Sequence, residues 1–434
     1  MYKDKCGNIS IAFTGDVMLG KRLPKFFPLK LEGVKRILLQ YDCRIGNLET
    51  TIHRFDEGYP EAFPGGSYAM MDPNALNDLK KLGFNMFGAA NNHSMDYGHE
   101  GLLATLKYLR EADISYAGIG KNLGDASRPA YFDCPNGRVA LISLTSSFHD
   151  SYLAGPQNQD LQGRPGINPL RHNAIYELDE NEYQLLNVIA SKTGINNYHN
   201  QAIKEGYLLN NETFVFGNFH FVAGQSGVVH TAPNGADLMR TIQGIKNAKY
   251  FSDIVVVSIH SHQFRDSNKR LAPDFIKKFA LECIDAGADV IACHGPHQVR
   301  GIEVYKKGVI FHGLGNFILQ HDQMNVLGEE QYIKYGTTRQ KCNGEAELYA
   351  LQTKNNTRGL NVMSETWKSI IAGIHYEDKK LTIRVYPIAL DRYGICNITN
   401  DCSILYEINN MSKEFHTQMM IDTREAFGII EIEK

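Results

Sequence analysis

The chain has 434 residues, with 45 Lys and Arg against 48 Asp and Glu and a formal net charge of −3. So even a balance excludes a broad nucleic-acid surface and a polybasic membrane patch. No run approaches the ~18 apolar residues of a membrane span, and the N-terminal Met1-Tyr-Lys-Asp-Lys5 has no hydrophobic signal core, so a cytoplasmic protein is expected.

In chain order, Ile9 to Thr14 alternates as a buried strand and ends at Gly15-Asp16. Cys43 to Gly46 is a second short strand, followed by Asn47-Leu-Glu49. Pro73 to Leu82 predicts a helix, with Pro73 in its first turn and Gly83 as its stop. Phe84 to Ala90 is a strand ending in Asn91-Asn92-His93. Tyr97 to Ala112 predicts an amphipathic helix with Leu102, Leu103, Leu106 and Leu109 on one face. Ile114 to Ala117 and Arg138 to Leu144 read as strands.

Residues from about 150 to 232 read as irregular, with one helix near Glu180 to Ser191. Alternation then resumes: helix 237–249, strand 253–259 ending before His260, helix 274–286, strand 290–293, strand 309–311. A second irregular stretch covers about 321–365. Strands near 371–376 and 381–387 and a helix near 403–412 close the chain. Alternating strands and helices indicate layered α/β, and the two irregular stretches read as insertions over one face.

Eight cysteines are scattered without a CxxC pair, which suggests neither a disulfide nor a zinc framework. Cys293 ends an apolar strand and reads as packing.

Candidate ligands stand at five strand ends: Asp16, Glu49 with Asn47, Asn92-His93, His260, and the pair His294 and His297 on a Gly-Pro turn. If the strands are mostly parallel, all five point at one sheet edge. Each residue alone has an ordinary alternative. Asp16 could cap a turn, Glu49 could pair with Lys21 or Arg22, Asn92 could cap a helix, His93 could be a bonded core histidine, and Asp96 could be a cap as readily as an orienter of His93. Together they supply carboxylates, an amide oxygen and imidazoles, a donor set suited to one or two Mn, Fe or Zn ions. Two ions ~3.5–4 Å apart need a bridging carboxylate, and a water between them becomes a hydroxide nucleophile near neutral pH. A histidine outside the ligand set can protonate the leaving group. His262 is either a further ligand or a substrate contact, Arg300 could clamp an anionic substrate, and His199, His220 and His230 read as scattered polar residues.

The blocks Phe13-Thr-Gly-Asp-Val-Met-Leu-Gly20, Gly46-Asn-Leu-Glu-Thr50, Ala90-Asn-Asn-His-Ser-Met-Asp-Tyr-Gly98, His294-Gly-Pro-His297, Gly301-Ile-Glu-Val-Tyr305 and Gly313-Leu-Gly-Asn-Phe317 occur in order. They resemble the CapA family of capsule or poly-γ-glutamate synthesis proteins, which is similar to calcineurin-like metallophosphoesterases. The resemblance implies a four-layer α/β/β/α sandwich with insertions, built from a core at 8–320 (insertion about 150–232), a second insertion at 321–365 and a C-terminal part at 366–434. It implies Asp16 and His297 as ligands of one ion, Asn92, His260 and His294 as ligands of the other, and Glu49 as the bridging or supporting carboxylate with Asn47 nearby. His93 is similar to the histidine that meets the scissile group. Met18 stands where the phosphoesterases carry a ligand histidine. The implied activity is hydrolysis of an anionic small or oligomeric substrate. Capsule-polymer handling without turnover, and chemistry on γ-glutamyl or peptide amides, are the alternatives.

Overall fold

Along the first strand, Ile9, Ile11 and Phe13 face one way and Ala12 the other, the period of two that a pleated strand imposes. That alternation explains the layering. In the computed structural model, which describes residues 8–209, 213–324, 326–342, 344–377 and 380–433, two β-sheets lie face to face. The inner face of Ile9–Met18 packs with Val139 and Leu141, Ile254 and Val256, and Val290 and Ala292 of the second sheet. Phe13 meets Phe311 across the interface with ring centroids 5.8 Å apart. Each such side chain taken fully out of water stabilises the fold by about 1.5–3 kcal/mol.

The first sheet has ten strands. Its central path runs Lys380–Leu390, Lys368–Glu377, Ile9–Met18, Cys43–Leu48, Met86–Gly88, Ser115–Ala117, and Asn316–Leu319 joins the far end of Ile9–Met18. The second has six, with Gly137–Thr145, Ile254–His260, Val290–His294 and Gly308–Phe311 parallel at its centre. Helices Glu32–Leu38, Leu76–Leu82 and Gly98–Glu111 cover the first sheet, and Gly235–Phe251 and Asp274–Asp285 cover the second. The result is the four-layer α/β/β/α sandwich. No helix among the described residues is long and apolar enough to cross a membrane.

Several local expectations need correction. The first strand does not stop at Thr14. It continues to Met18 through register shifts that flank Asp16, so Asp16 lies within the strand at an irregularity. Leu103 is 37% exposed, while Leu102, Leu106 and Leu109 are buried together with Ala104, Thr105 and Tyr108 of the same helix. The 150–232 stretch has the expected helix, as Glu180–Thr193, and from 172 onward more regular structure than expected. His172–Leu178, Phe214–Phe216, Phe219–Ala223 and Val229–Pro233 form a separate four-stranded sheet, flanked by helices Glu180–Thr193 and Asn197–Lys204. These strands are only partly buried and mix polar with aromatic residues, which hides their period of two. The 321–365 stretch contains helices Glu329–Lys334 and Glu345–Thr353.

Candidate metal centre

The parallel strands of both sheets end at one edge, and pairing registers bring their last residues together. Asp16 pairs with Asn47 on one side and Asn316 on the other, and His260 pairs with His294. Two backbone details make the approach possible. A Cβ on Gly15 would stand 2.0 Å from the Gly315 carbonyl oxygen, so the two segments meet only because Gly15 has none. His297 adopts φ of +57°, a left-handed conformation uncommon for a residue with a Cβ.

The side chains converge as follows. Asn47 Nδ2 donates to Asp16 Oδ1 at 2.9 Å and lies 3.1 Å from His260 Nδ1. His294 Nδ1 and His260 Nδ1 stand 3.5 and 3.9 Å from Asp16 Oδ1, and His297 Nδ1 stands 3.5 Å from Asp16 Oδ2. Glu49 Oε1 lies 3.6 Å from His260 Nε2, 3.8 Å from His297 Nε2 and 4.0 Å from His262 Nε2. The Asn92 side-chain oxygen lies 3.2 Å from His262 Nε2. Donors 2.0–2.2 Å from one ion stand roughly 3.0–3.6 Å from each other, close to this spacing. Two sets of three could hold an ion, Asp16–Glu49–His260 and Glu49–His262–His297, and they share Glu49.

Glu49 tests whether a cation fits. It is 0% exposed, and neither carboxylate oxygen has a hydrogen-bond partner. Burial, reinforced by the Asp16 and Asp96 charges, drives its carboxyl well above the usual range. Burial alone would also raise Asp16, but the imidazoles of His294, His260 and His297 hold it well below the usual carboxylate range. Burial pushes His260 down to about 3, and it lowers His262 and His297 as well, which keeps lone pairs available for a metal. Lys21 and Arg22 make no ion pair with Glu49, and Arg22 binds Asp78 instead. A buried carboxylate without donors is costly, and a cation at this point resolves both the charge and the unmet lone pairs.

Around the ligands lies a fixed frame. Asn316 Oδ1 accepts from His297 Nδ1 at 2.8 Å, which leaves Nε2 facing Glu49. His93 Nδ1 is 2.6 Å from Asp96 Oδ2, and Asp96 also accepts from the backbone N–H groups of Gly65 and Ala69 at 2.8 and 2.7 Å. Asp96 caps no helix, and neither does Asn92, whose Nδ2 donates to the Gly65 carbonyl. His93 lines a cavity of about 450 Å³ together with Met18, Asn92, His262 and His297.

The two donor sets place His260 with Asp16 and Glu49, and His262 with Glu49 and His297, while His297 Nδ1 also stands 3.5 Å from Asp16, the pairing the resemblance implies. Arg300 is not at the cavity. Its guanidinium is buried, and its Nε donates to the Lys269 carbonyl at 2.7 Å, so it pins a loop instead of facing a substrate. His220 and His230 bond locally to Thr213 and Glu177, and among the described residues no further set of three acidic, His or Cys donors gathers. Cys293 is buried, and burial pushes its thiol up to about 12, consistent with packing. Asn316 was missed as a supporting residue, although its Gly-Leu-Gly-Asn-Phe block was visible in the sequence.

These features define an α/β/β/α sandwich with a buried carboxylate–histidine cluster at the strand ends. The family profile described as bacterial capsule synthesis protein PGA_cap matches residues 10–321, and the chain belongs to that family. An uncharacterized protein of Sinorhizobium fredii, y4sH, is 30% identical over 96% of this chain and 92% of its own length. The capsule biosynthesis protein CapA of Bacillus anthracis is 24% identical over 71% of this chain, and the match spans 59% of that relative. A crystal structure of a hypothetical protein from Thermus thermophilus overlaps 89% of this chain and 96% of its own at 11% identity, with a TM-score of 0.37.

Proposed function

We propose that the chain is a metal-dependent hydrolase that holds one or two Mn, Fe or Zn ions and acts on a phosphate ester of an anionic small or oligomeric substrate. The observation that carries this reading is Glu49, fully buried, without a hydrogen-bond partner, and shared by two donor sets. Asp16 and His260, with Asn47 and His294 beside them, would hold one ion, and His262 and His297, with Asn92 beside them, the other. Cations there would supply Lewis-acid polarisation of the substrate and a water of lowered pKa. The chain's own residues supply the rest. Asp96, held by two backbone donors, fixes the proton of His93 on Nδ1. In the doubly protonated ring that the Asp96 carboxylate pairs with, Nε2 carries the second proton and passes it to the leaving oxygen, which leaves the ring neutral with its remaining proton on Nδ1. The neutral His260 and His297 keep their lone pairs for ligation.

A second reading, chemistry on γ-glutamyl or peptide amides or binding of an anionic capsule polymer, is favoured by the capsule biosynthesis relative in Bacillus anthracis. One panel separates them: metal-loaded protein against phosphomonoesters, phosphodiesters and γ-glutamyl amides, with His93→Ala as control. Ester turnover that His93→Ala abolishes supports the first reading. Amide turnover alone, or γ-glutamyl polymer binding without turnover, replaces it.

A further inference from the structure

The cavity beside the ligands has a second wall that the hydrolytic reading does not use. Residues of the 321–360 stretch roof it, and Lys269 enters from the loop after His260. Lys269 is half-buried and makes no ion pair among the described residues, and burial with Arg300 nearby holds its ammonium below the usual range. Arg300 grips its carbonyl, so the backbone beneath the cation is fixed. In the roof, the hydroxyl of Tyr349 and Nδ1 of His321 are shielded from solvent and lack hydrogen-bond partners, and the two rings meet edge to face at 5.6 Å. Arg358 adds an exposed cation to the lining and, among the described residues, donates to the Gln352 carbonyl. None of the residues lining the cavity is acidic. The nearest carboxylate on that side, Asp322, lines an adjoining pocket and accepts from Asn361.

Unmet buried polar atoms are rare and ask for a partner. Here two of them belong to residues that line one cavity with an unpaired ammonium. From this arrangement, and resting on the metal-centre reading above, we infer that Lys269, Tyr349 and His321 form a specificity subsite for a second anionic group of the substrate, a carboxylate or a phosphate distinct from the group at the ions. The substrate is therefore at least doubly anionic. Tyr349 O–H and His321 donate to the same acceptor that Lys269 neutralises, and Arg358 draws it in.

Calorimetric titration of the metal-loaded full chain tests this. The carboxylate arm compares glutarate with acetate, and the phosphate arm compares propane-1,3-diyl bisphosphate with methyl phosphate. The wild type is expected to prefer the probe with two anionic groups in one arm by about tenfold or more. Lys269→Met should erase that preference and Tyr349→Phe should weaken it, with metal content unchanged by elemental analysis. The arm that shows the preference names the group. Equal binding of probes with one and with two anionic groups by the wild type, or a preference that survives Lys269→Met, overturns the subsite. Metal uptake on the same samples reads the hydrolase proposal separately, because Lys269 and Tyr349 are not among the ligands.

Discussion

The strand-end edge and the roof at 321–360 face one cavity but are built on opposite plans. At the edge, the candidate side chains leave a strand end, the turn that follows it or, for Asp16, an irregularity within the strand, and β-pairing register sets neighbours such as Asp16 against Asn47 and Asn316 and His260 against His294. On the roof, Tyr349 sits on a nine-residue helix and His321 and Arg358 on connecting segments, with no sheet to fix them. On the proposed reading, the sheet framework carries the chemistry and the 321–360 stretch carries the recognition. Mutations at the edge should therefore abolish chemistry, while mutations on the roof should change which molecule is processed.

The largest expected effect is at Glu49. Glu49→Gln should remove metal uptake, an outcome beyond the ~10–100-fold that supporting residues cost, and elemental analysis checks it. The same variant should melt at a higher temperature than the metal-free wild type, because it removes an unpaired buried carboxylate. Added Mn²⁺ or Zn²⁺ should stabilise the wild type by about 2.7 kcal/mol at a hundred times Kd and leave Glu49→Gln unmoved. A variant that still binds metal would break the claim that the edge is organised around Glu49.

Next is the proton path. His93→Ala should lower kcat by about 10²–10⁴ with metal content intact. Asp96→Asn should lower it in the same direction, because the imidazole loses the acceptor 2.6 Å from Nδ1. A KM effect without a kcat effect would move His93 from the chemistry to binding.

Arg300 sharpens the contrast from the roof side. Arg300→Met should raise KM for the working substrate more than it lowers kcat, since it releases the Lys269 loop and touches no ligand.

The smallest effect lies at the root of the first insertion, where Asp237 binds Arg171 and Arg240 at 2.8 and 2.7 Å. Burial would raise its carboxyl, but the two arginines hold it below the usual range. Because the folded value is depressed, this stabilisation is present above the unfolded value near ~3.9 and fades as pH falls through the folded one. Asp237→Asn should cost about 1–3 kcal/mol at neutral pH and flatten the acid limb of the stability curve below about pH 4. Chemical denaturation across pH reads both.

The same contrast explains what could be read from the chain. Strand ends such as Asp289-Val-Ile-Ala-Cys-His294 announce themselves, because a fully buried strand is a continuous apolar run and a ligand after it breaks the run. Thus Asp16, Glu49, Asn92, His260, His294 and His297 were legible as one set of strand-end candidates and layered α/β from the alternating elements, whereas the four-layer sandwich followed from the family resemblance. Which histidine stands beside which carboxylate was not legible, since that depends on side-chain direction across two sheets. Lys269, His321 and Tyr349 were invisible for a different reason. They lie in stretches with no periodicity, and only tertiary packing gives them a common cavity. The small sheet at 172–233 was hidden likewise by strands that are half-buried and polar, as in His172-Asn-Ala-Ile-Tyr-Glu-Leu178.

The most direct measurement is anomalous diffraction from crystals soaked in Mn²⁺. The account predicts a peak in contact with Glu49, flanked by Asp16 and His260 on one side or by His262 and His297 on the other, and a second peak across Glu49 at full loading. Fully soaked crystals with no anomalous density at Glu49, or with the ion bound elsewhere, would contradict it.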